Sequence, residues 1–292
     1  MANKVYDYVT QEIIRKMKEE KIAPWQKPWV VGNQVNYVTQ KPYRGVNTLL
    51  LKKSGEYLTF NQIKAAGGSI KKGSKSEMVI FFKPVDKKTA ASESDDEKKD
   101  KYVVLRYYKV FHISDTTGIK SKYKSKKIND PIIEAEEIIK NYKECPDIQN
   151  NGTNKAYYNP RLDYINIPSI NNHNSSEEYY STAFHEIIHS TGHKKRLGRF
   201  TDNKISAFGN ESYSKEELVA EIGSAYLSGI TGIVQKTIDN SVSYLNSWIK
   251  ELENDSTLIV KAAAAAQKAA DYIQNINKEL TPSNESSINI NC

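Results

Sequence analysis

The sequence predicts an α+β protein of two domains, an N-terminal α+β unit followed by a mostly helical unit with a small sheet. Three observations carry this. A chain of 292 residues suits about two domains. Strand-like runs in the first 127 residues give way to mostly helical periodicity afterwards. The charge divides at the same place: residues 1–127 hold 27 Lys+Arg against 13 Asp+Glu (+14), and residues 128–292 hold 15 against 22 (−7). The overall +7 is therefore a difference between unlike halves, and only the first is suited to a polyanion. The expected units are 1–127, 128–281 and a disordered tail, 282–292. No run approaches the ~18 apolar residues of a membrane span. The opening MANKVYDYVTQEIIRKMKEEK has no apolar core of a signal peptide. Cys145 and Cys292 cannot build a disulfide framework, which fits a reducing cytoplasm; a monomer without a membrane partner is expected.

Val5, Val9, Ile13 and Met17 recur at helical spacing and predict a first amphipathic helix. Pro24-Trp25-Gln26-Lys27-Pro28-Trp29 is too proline-rich for a helix interior. Lys41 to Asn47 reads as a turn into the apolar run Leu49–Leu51. Thr59 to Lys64 reads as a short capped helix stopped by Gly67-Gly68. Met78–Phe82 and Tyr102–Tyr108 are strand candidates, joined by the polar, flexible loop 86–101. After the polar stretch 118–130, Pro131–Tyr142 is helical. Ala156–Tyr158 and Tyr164–Ile167 are short strands, the second expected at a sheet edge where an extended peptide could pair. An Ala-rich helix around 257–279 closes the chain.

Phe184-His185-Glu186-Ile187-Ile188-His189 carries the chemistry. Two histidines four residues apart share one helix face and can reach one ion. Zn2+ accepts nitrogen and oxygen ligands and keeps a position for water in catalytic sites. Glu186 is placed to take that water's proton, whose pKa the ion lowers to roughly 7. Apolar neighbours bury this helix, and buried histidines need partners. Position 195 is Lys, so the branch with a third histidine ten residues on is excluded. His193 is read as lining or supporting the site. Glu217 and Glu221 share a face of a second helix. Glu217 is read as the third ligand and Glu221 as the acid that supports a ligand histidine. If Ser214-x-x-Glu217 is only a capping box, Glu221 becomes the ligand. Tyr157 or Tyr158 could donate to an oxyanion, or serve as ordinary strand aromatics.

In the basic half, aromatics alternate with cations: Trp25, Lys27, Trp29, Lys41, Tyr43 and Arg44, then Tyr107, Tyr108 and Lys109. Lys71 and Lys72 are further candidates. Single-stranded DNA binds such mixtures, with bases on ring faces and cations along the phosphates. The alternative is that several of these rings are core.

Taken together, these motifs resemble the ArdC-type antirestriction proteins of mobile elements. The resemblance rests on Pro24-Trp25-x-x-Pro28-Trp29, Lys41-Pro42-Tyr43-Arg44-Gly45-Val46-Asn47, Leu58–Gln62, Gly67-Gly68, Lys72-Gly73, Phe184–His193, Arg196-Leu197 and Glu216–Gly223. It implies an N-terminal single-stranded-DNA-binding domain and a C-terminal zincin-like, gluzincin-type metallopeptidase domain that together protect incoming DNA from restriction during conjugation. Related N-terminal domains also occur fused to plasmid primases. The chain departs at loop 86–101 and at Val110-Phe111-His112, where Asn is expected after Phe. The competing expectation is a non-catalytic protein that masks single-stranded DNA and keeps a structural metal site. Mimicry of duplex DNA needs a strongly acidic surface, and the +14 of the first half argues against it.

Overall fold

The structure, a computed structural model, describes residues 2–26, 34–86, 101–122, 131–153, 155–200, 211–233 and 242–276. Helix α1 (Ala2–Glu20) turns Val9, Ile13, Ile14 and Met17 inward, the face their spacing predicts. A 3-10 turn, Pro24–Gln26, leads to β1 (Gln34–Asn36), α2 (Val46–Leu50) and β2 (Gly55–Thr59). Helix α3 (Phe60–Ala65) is capped at both ends. The Gln62 N–H donates to Thr59 Oγ1 at 3.3 Å, and the Thr59 N–H to Gln62 Oε1 at 2.8 Å. Gly67, at φ 76°, and Gly68 return their N–H groups to Lys64 and Ile63.

Next come β3 (Ser69–Ile70), β4 (Glu77–Asp86), β5 (Lys101–His112) and β6 (Thr116–Thr117), which pairs back on β3. The first sheet has the order β1-β2-β5-β4, with β1 parallel to β2 and the other pairs antiparallel. Most of the loop expected at 86–101 lies outside the described residues, as does the tail. His112, the departure from the family pattern, uses both ring nitrogens: Nε2 meets Ser54 O at 2.9 Å and Nδ1 meets Ser114 Oγ at 2.8 Å.

The second half contains α4 (Pro131–Asn141), β7 (Asp147–Gln149), β8 (Tyr157–Asn159), β9 (Tyr164–Asn166), α5 (Ser176–Ser190), α6 (Glu211–Thr231), α7 (Val242–Asn254) and α8 (Leu258–Ile273). Its sheet has the order β7-β9-β8. The strand expected at an edge, β9, is the central one, parallel to β7 and antiparallel to β8. Both of its flanks are already paired, so an added peptide strand has only β7 or β8 to join. Local hydrophobicity could not decide this, because strand order depends on distant pairings.

The two units share an apolar core. Val9, Ile13, Trp25, Leu49 and Leu50 belong to the same cluster as Trp248, Leu252, Ala263 and Ala266. The Trp25 and Trp248 rings meet edge to face at 6.0 Å. Polar ties reinforce this packing. Thr10 donates to Ser256 O at 2.7 Å, the Gly45 N–H donates to Gln267 Oε1 at 3.1 Å, and Arg44 pairs with Asp271 on α8. The alanines of α8 keep its buried face small enough for such close contact.

Candidate metal centre

Helix α5 is set by its ends and by its core face. Ser175 Oγ accepts the Glu178 N–H at 3.3 Å, and Glu177 and Glu178 add negative charge to the first turn. Phe184, Ile187 and Ile188 are fully buried, which fixes the helix rotation. Across from it, a Cβ on Gly223 would come within 2.7 Å of Ile188 Cδ1. Glycine there permits the close approach of α5 and α6, and the Ser224 hydroxyl donates to Ser181 O at 3.0 Å. Helix α6 begins at Glu211, so Ser214 lies within the helix and not at its N-cap, the position the alternative reading required.

This packing brings His185, His189 and Glu217 together, one potential ligand atom from each lying within 4.8 Å of the others. The two histidine Nε2 atoms are 3.1 Å apart. Glu217 lies 3.5 Å from His185 Nε2 and 3.3 Å from His189 Nε2. Glu221, the alternative ligand, is held elsewhere: the Tyr244 hydroxyl donates to its Oε1 at 3.2 Å. Glu216 is the residue the sequence reading missed. Its Oε1 is 3.3 Å from His189 Nδ1, and Arg199 binds the same carboxylate at 2.7 and 3.0 Å. Among the described residues, Glu216 is thus the acid that holds the His189 ring, the supporting task expected of Glu221. Glu186, next to His185, is buried but outside the triad.

The electrostatics call for positive charge between these side chains. Burial opposes a charged His189, yet the Glu216 and Glu217 carboxylates outweigh it and push its pKa up to about 10. His185 is raised in the same way, by Glu217. Burial works against ionised Glu217, but the two imidazoles hold its carboxyl well below the usual range. Burial raises Glu221, which lacks such a close cation. Two imidazole nitrogens and a carboxylate oxygen suit a divalent ion, whose charge lets both rings bind as neutral donors.

Residues 133–265 match the zincin-like metallopeptidase family, and residues 3–111 match the N-terminal domain of anti-restriction factor ArdC. The fold matches crystal structures of the antirestriction ArdC protein from plasmid R388. The metal-free form gives a TM-score of 0.71 at 31% identity, covering 92% of this chain and 96% of that one. The Mn(II)-bound form gives 0.72 at 33% identity, covering 92% and 97%. This chain belongs to the ArdC antirestriction family. It is also 30% identical over 290 residues to the DNA primase TraC of Escherichia coli, and spans only 27% of that primase's length.

Other residues of this ArdC-family chain fall into two groups. Around the metal centre, His193 is buried outside the triad. It accepts the Lys195 N–H at 3.3 Å and lies 3.8 Å from Asp163. Asp163 accepts from the Tyr158 hydroxyl at 2.7 Å and pairs with Arg196, which also donates to Ser190 O at 2.7 Å. This commits the Tyr158 proton to Asp163 beside the loop after α5, while Tyr157 accepts from Asn151 and shares a hydrogen bond with Tyr164 in which either hydroxyl can donate. Gly192, just past α5, has no positive φ; the Phe200 ring occupies the space of its missing Cβ at 2.5 Å.

Among the DNA candidates, Trp25 is fully buried and Tyr43 is 6% exposed, so neither offers an open face to a base. The fully buried Trp25 is a core residue between the two units, and Arg44 is tied to Asp271. Lys41, Lys71 and Lys72 are exposed. Lys27 and Trp29 lie outside the described residues. No helix among the described residues is long and apolar enough to cross a membrane.

Proposed function

We propose that this protein is a cytoplasmic antirestriction factor of a mobile element that binds single-stranded DNA through its basic half and hydrolyses a protein target at a zinc site. The convergence of His185, His189 and Glu217 beside Glu186 is the observation that carries the reading. His185 and His189 would hold the ion through Nε2 and Glu217 through a carboxylate oxygen. A divalent ion supplies Lewis acidity and lowers the pKa of its water. Glu186 takes the proton of the attacking water and returns it to the departing amine. Glu216 and Arg199 hold the His189 ring so that Nε2 faces the site. Zinc suits this donor set, and manganese is compatible with it.

The decisive experiment uses the full chain. Purified protein should carry about one metal ion per chain by elemental analysis, in keeping with three converging ligands. Glu186→Gln should retain that metal and lose antirestriction activity in a plasmid-transfer assay by at least ~100-fold, the usual scale for losing a general base. A Glu186→Gln protein that protects DNA as well as its parent would overturn the peptidase reading in favour of passive masking.

A further inference from the structure

We infer that the outer face of the β4–β5 hairpin, formed by Phe81, Tyr108 and Arg106, is a stacking platform for single-stranded DNA. The inference rests on the DNA-binding reading above and narrows it to one face of one hairpin.

Register fixes which side chains share a face. Val79 is opposite Tyr108, and Phe81 is opposite Arg106. Directly opposed residues of an antiparallel pair project to the same side. Val79 is buried with Tyr43, Leu51, Tyr57 and Val110, so the inner part of this face is a small core. From that core a file of rings runs outward. Tyr57 meets Tyr43 at 6.2 Å, Tyr43 meets Phe81 at 6.5 Å, and Phe81 meets Tyr108 at 5.5 Å. The first two rings are buried, whereas Phe81 is 45% and Tyr108 42% exposed. The outer rings are therefore braced from within and open from without, so little ordering cost remains when a base stacks on them.

The charge selects the occupant. Arg106 is exposed on the same face and forms no ion pair among the described residues. The acid on this face, Glu77, lies at its inner end, where the Lys52 N–H and, at 3.4 Å, the Tyr57 hydroxyl bind its carboxylate. The platform belongs to the half carrying +14. Exposed rings alone would suit an apolar partner, but rings with an exposed guanidinium in a strongly basic unit suit unstacked bases and their phosphates. A duplex keeps its bases stacked internally and can use only the cations.

The opposite face supplies an internal control. Phe82, opposite Leu105, is 51% exposed on that face, away from the Phe81–Tyr108 file. The test is fluorescence anisotropy of labelled poly-dT with the full-length protein, each variant first checked for native circular dichroism. Phe81→Ala and Tyr108→Ala should each weaken binding about tenfold, the scale of one base–ring stack. Tyr108→Phe and Phe82→Ala should bind like the parent. Arg106→Gln should lower the salt slope by about one unit. If folded Phe81→Ala and Tyr108→Ala bind as tightly as a parent that itself binds poly-dT, the platform is wrong and the DNA reading survives. A parent that does not bind poly-dT overturns both. Equal losses on duplex and single strand would also reject stacking as the mode.

Discussion

At His189 two adjacent carboxylates divide one imidazole. Glu217 faces Nε2 and Glu216 faces Nδ1, although they are neighbours on α6, about 100° apart around its axis. The division works because Arg199 draws Glu216 to one side of the ring and neutralises it there. Burial penalises the Glu216 charge, but His189 and Arg199 more than compensate, so it remains an ionised acceptor. The expected consequence is that Glu216→Ala lowers metal affinity ~10–100-fold by leaving the ring unoriented. Chelator competition would measure this, and unchanged affinity in a folded variant would remove Glu216 from the site. The convergence of the two histidines was legible because their geometry is local to one helix. Glu217 was legible as one of two choices. Glu216 was not, since helical spacing shows which residues share a face but not which neighbour a second helix presents to it.

Elements with local signals were read well, and those defined by distant partners were not. The capping box and paired glycines of α3 announce that helix within ten residues, and the apolar spacing of α1 gives its buried face. The position of β9 depended on where β7 and β8 fell, which no local pattern encodes. The loop leaving α5 shows the same dependence. Asp163, at φ 55° in the turn before β9, reaches Arg196, whose side chain is 4% exposed, so a strand turn fixes the segment beyond the metal helix. Burial would raise the Asp163 carboxyl, but Arg196 and Tyr158 lower it below its ordinary value of 3.8. A depressed folded pKa means this stabilisation is complete above the unfolded pKa and is lost as pH falls through the folded one. Asp163→Asn should therefore cost about 2–4 kcal/mol at neutral pH, because Arg196 keeps its buried charge without a counterion. The gap between variant and parent should close in acid, where the parent's carboxyl is protonated too. Urea melts at several pH values read this directly, and a gap independent of pH would sever Asp163 from Arg196.

Across the whole molecule, the charge split was visible in composition, but the union of the two units was not. Trp25 illustrates why. In sequence it stands beside lysines and reads as a nucleotide-stacking ring, whereas in the fold it is the wedge against which Trp248 packs. Side-chain type cannot distinguish an aromatic that faces a partner molecule from one that faces a partner domain. A shared core means that neither unit should melt alone. Trp248 is 7% exposed, so Trp248→Ala removes a large buried contact at ~3–5 kcal/mol and should lower the melting temperature by about 10 °C. Because the packing is common property, poly-dT binding and metal retention should disappear together on heating, in the parent and, at the lower temperature, in the variant. Had the units been independent, Trp248→Ala would destabilise only the metal-bearing half, and DNA binding would outlast metal loss. Parallel melts followed by anisotropy and metal release decide between these outcomes, and two separated transitions would show that DNA on the first unit has no mechanical route to the metal centre through this core.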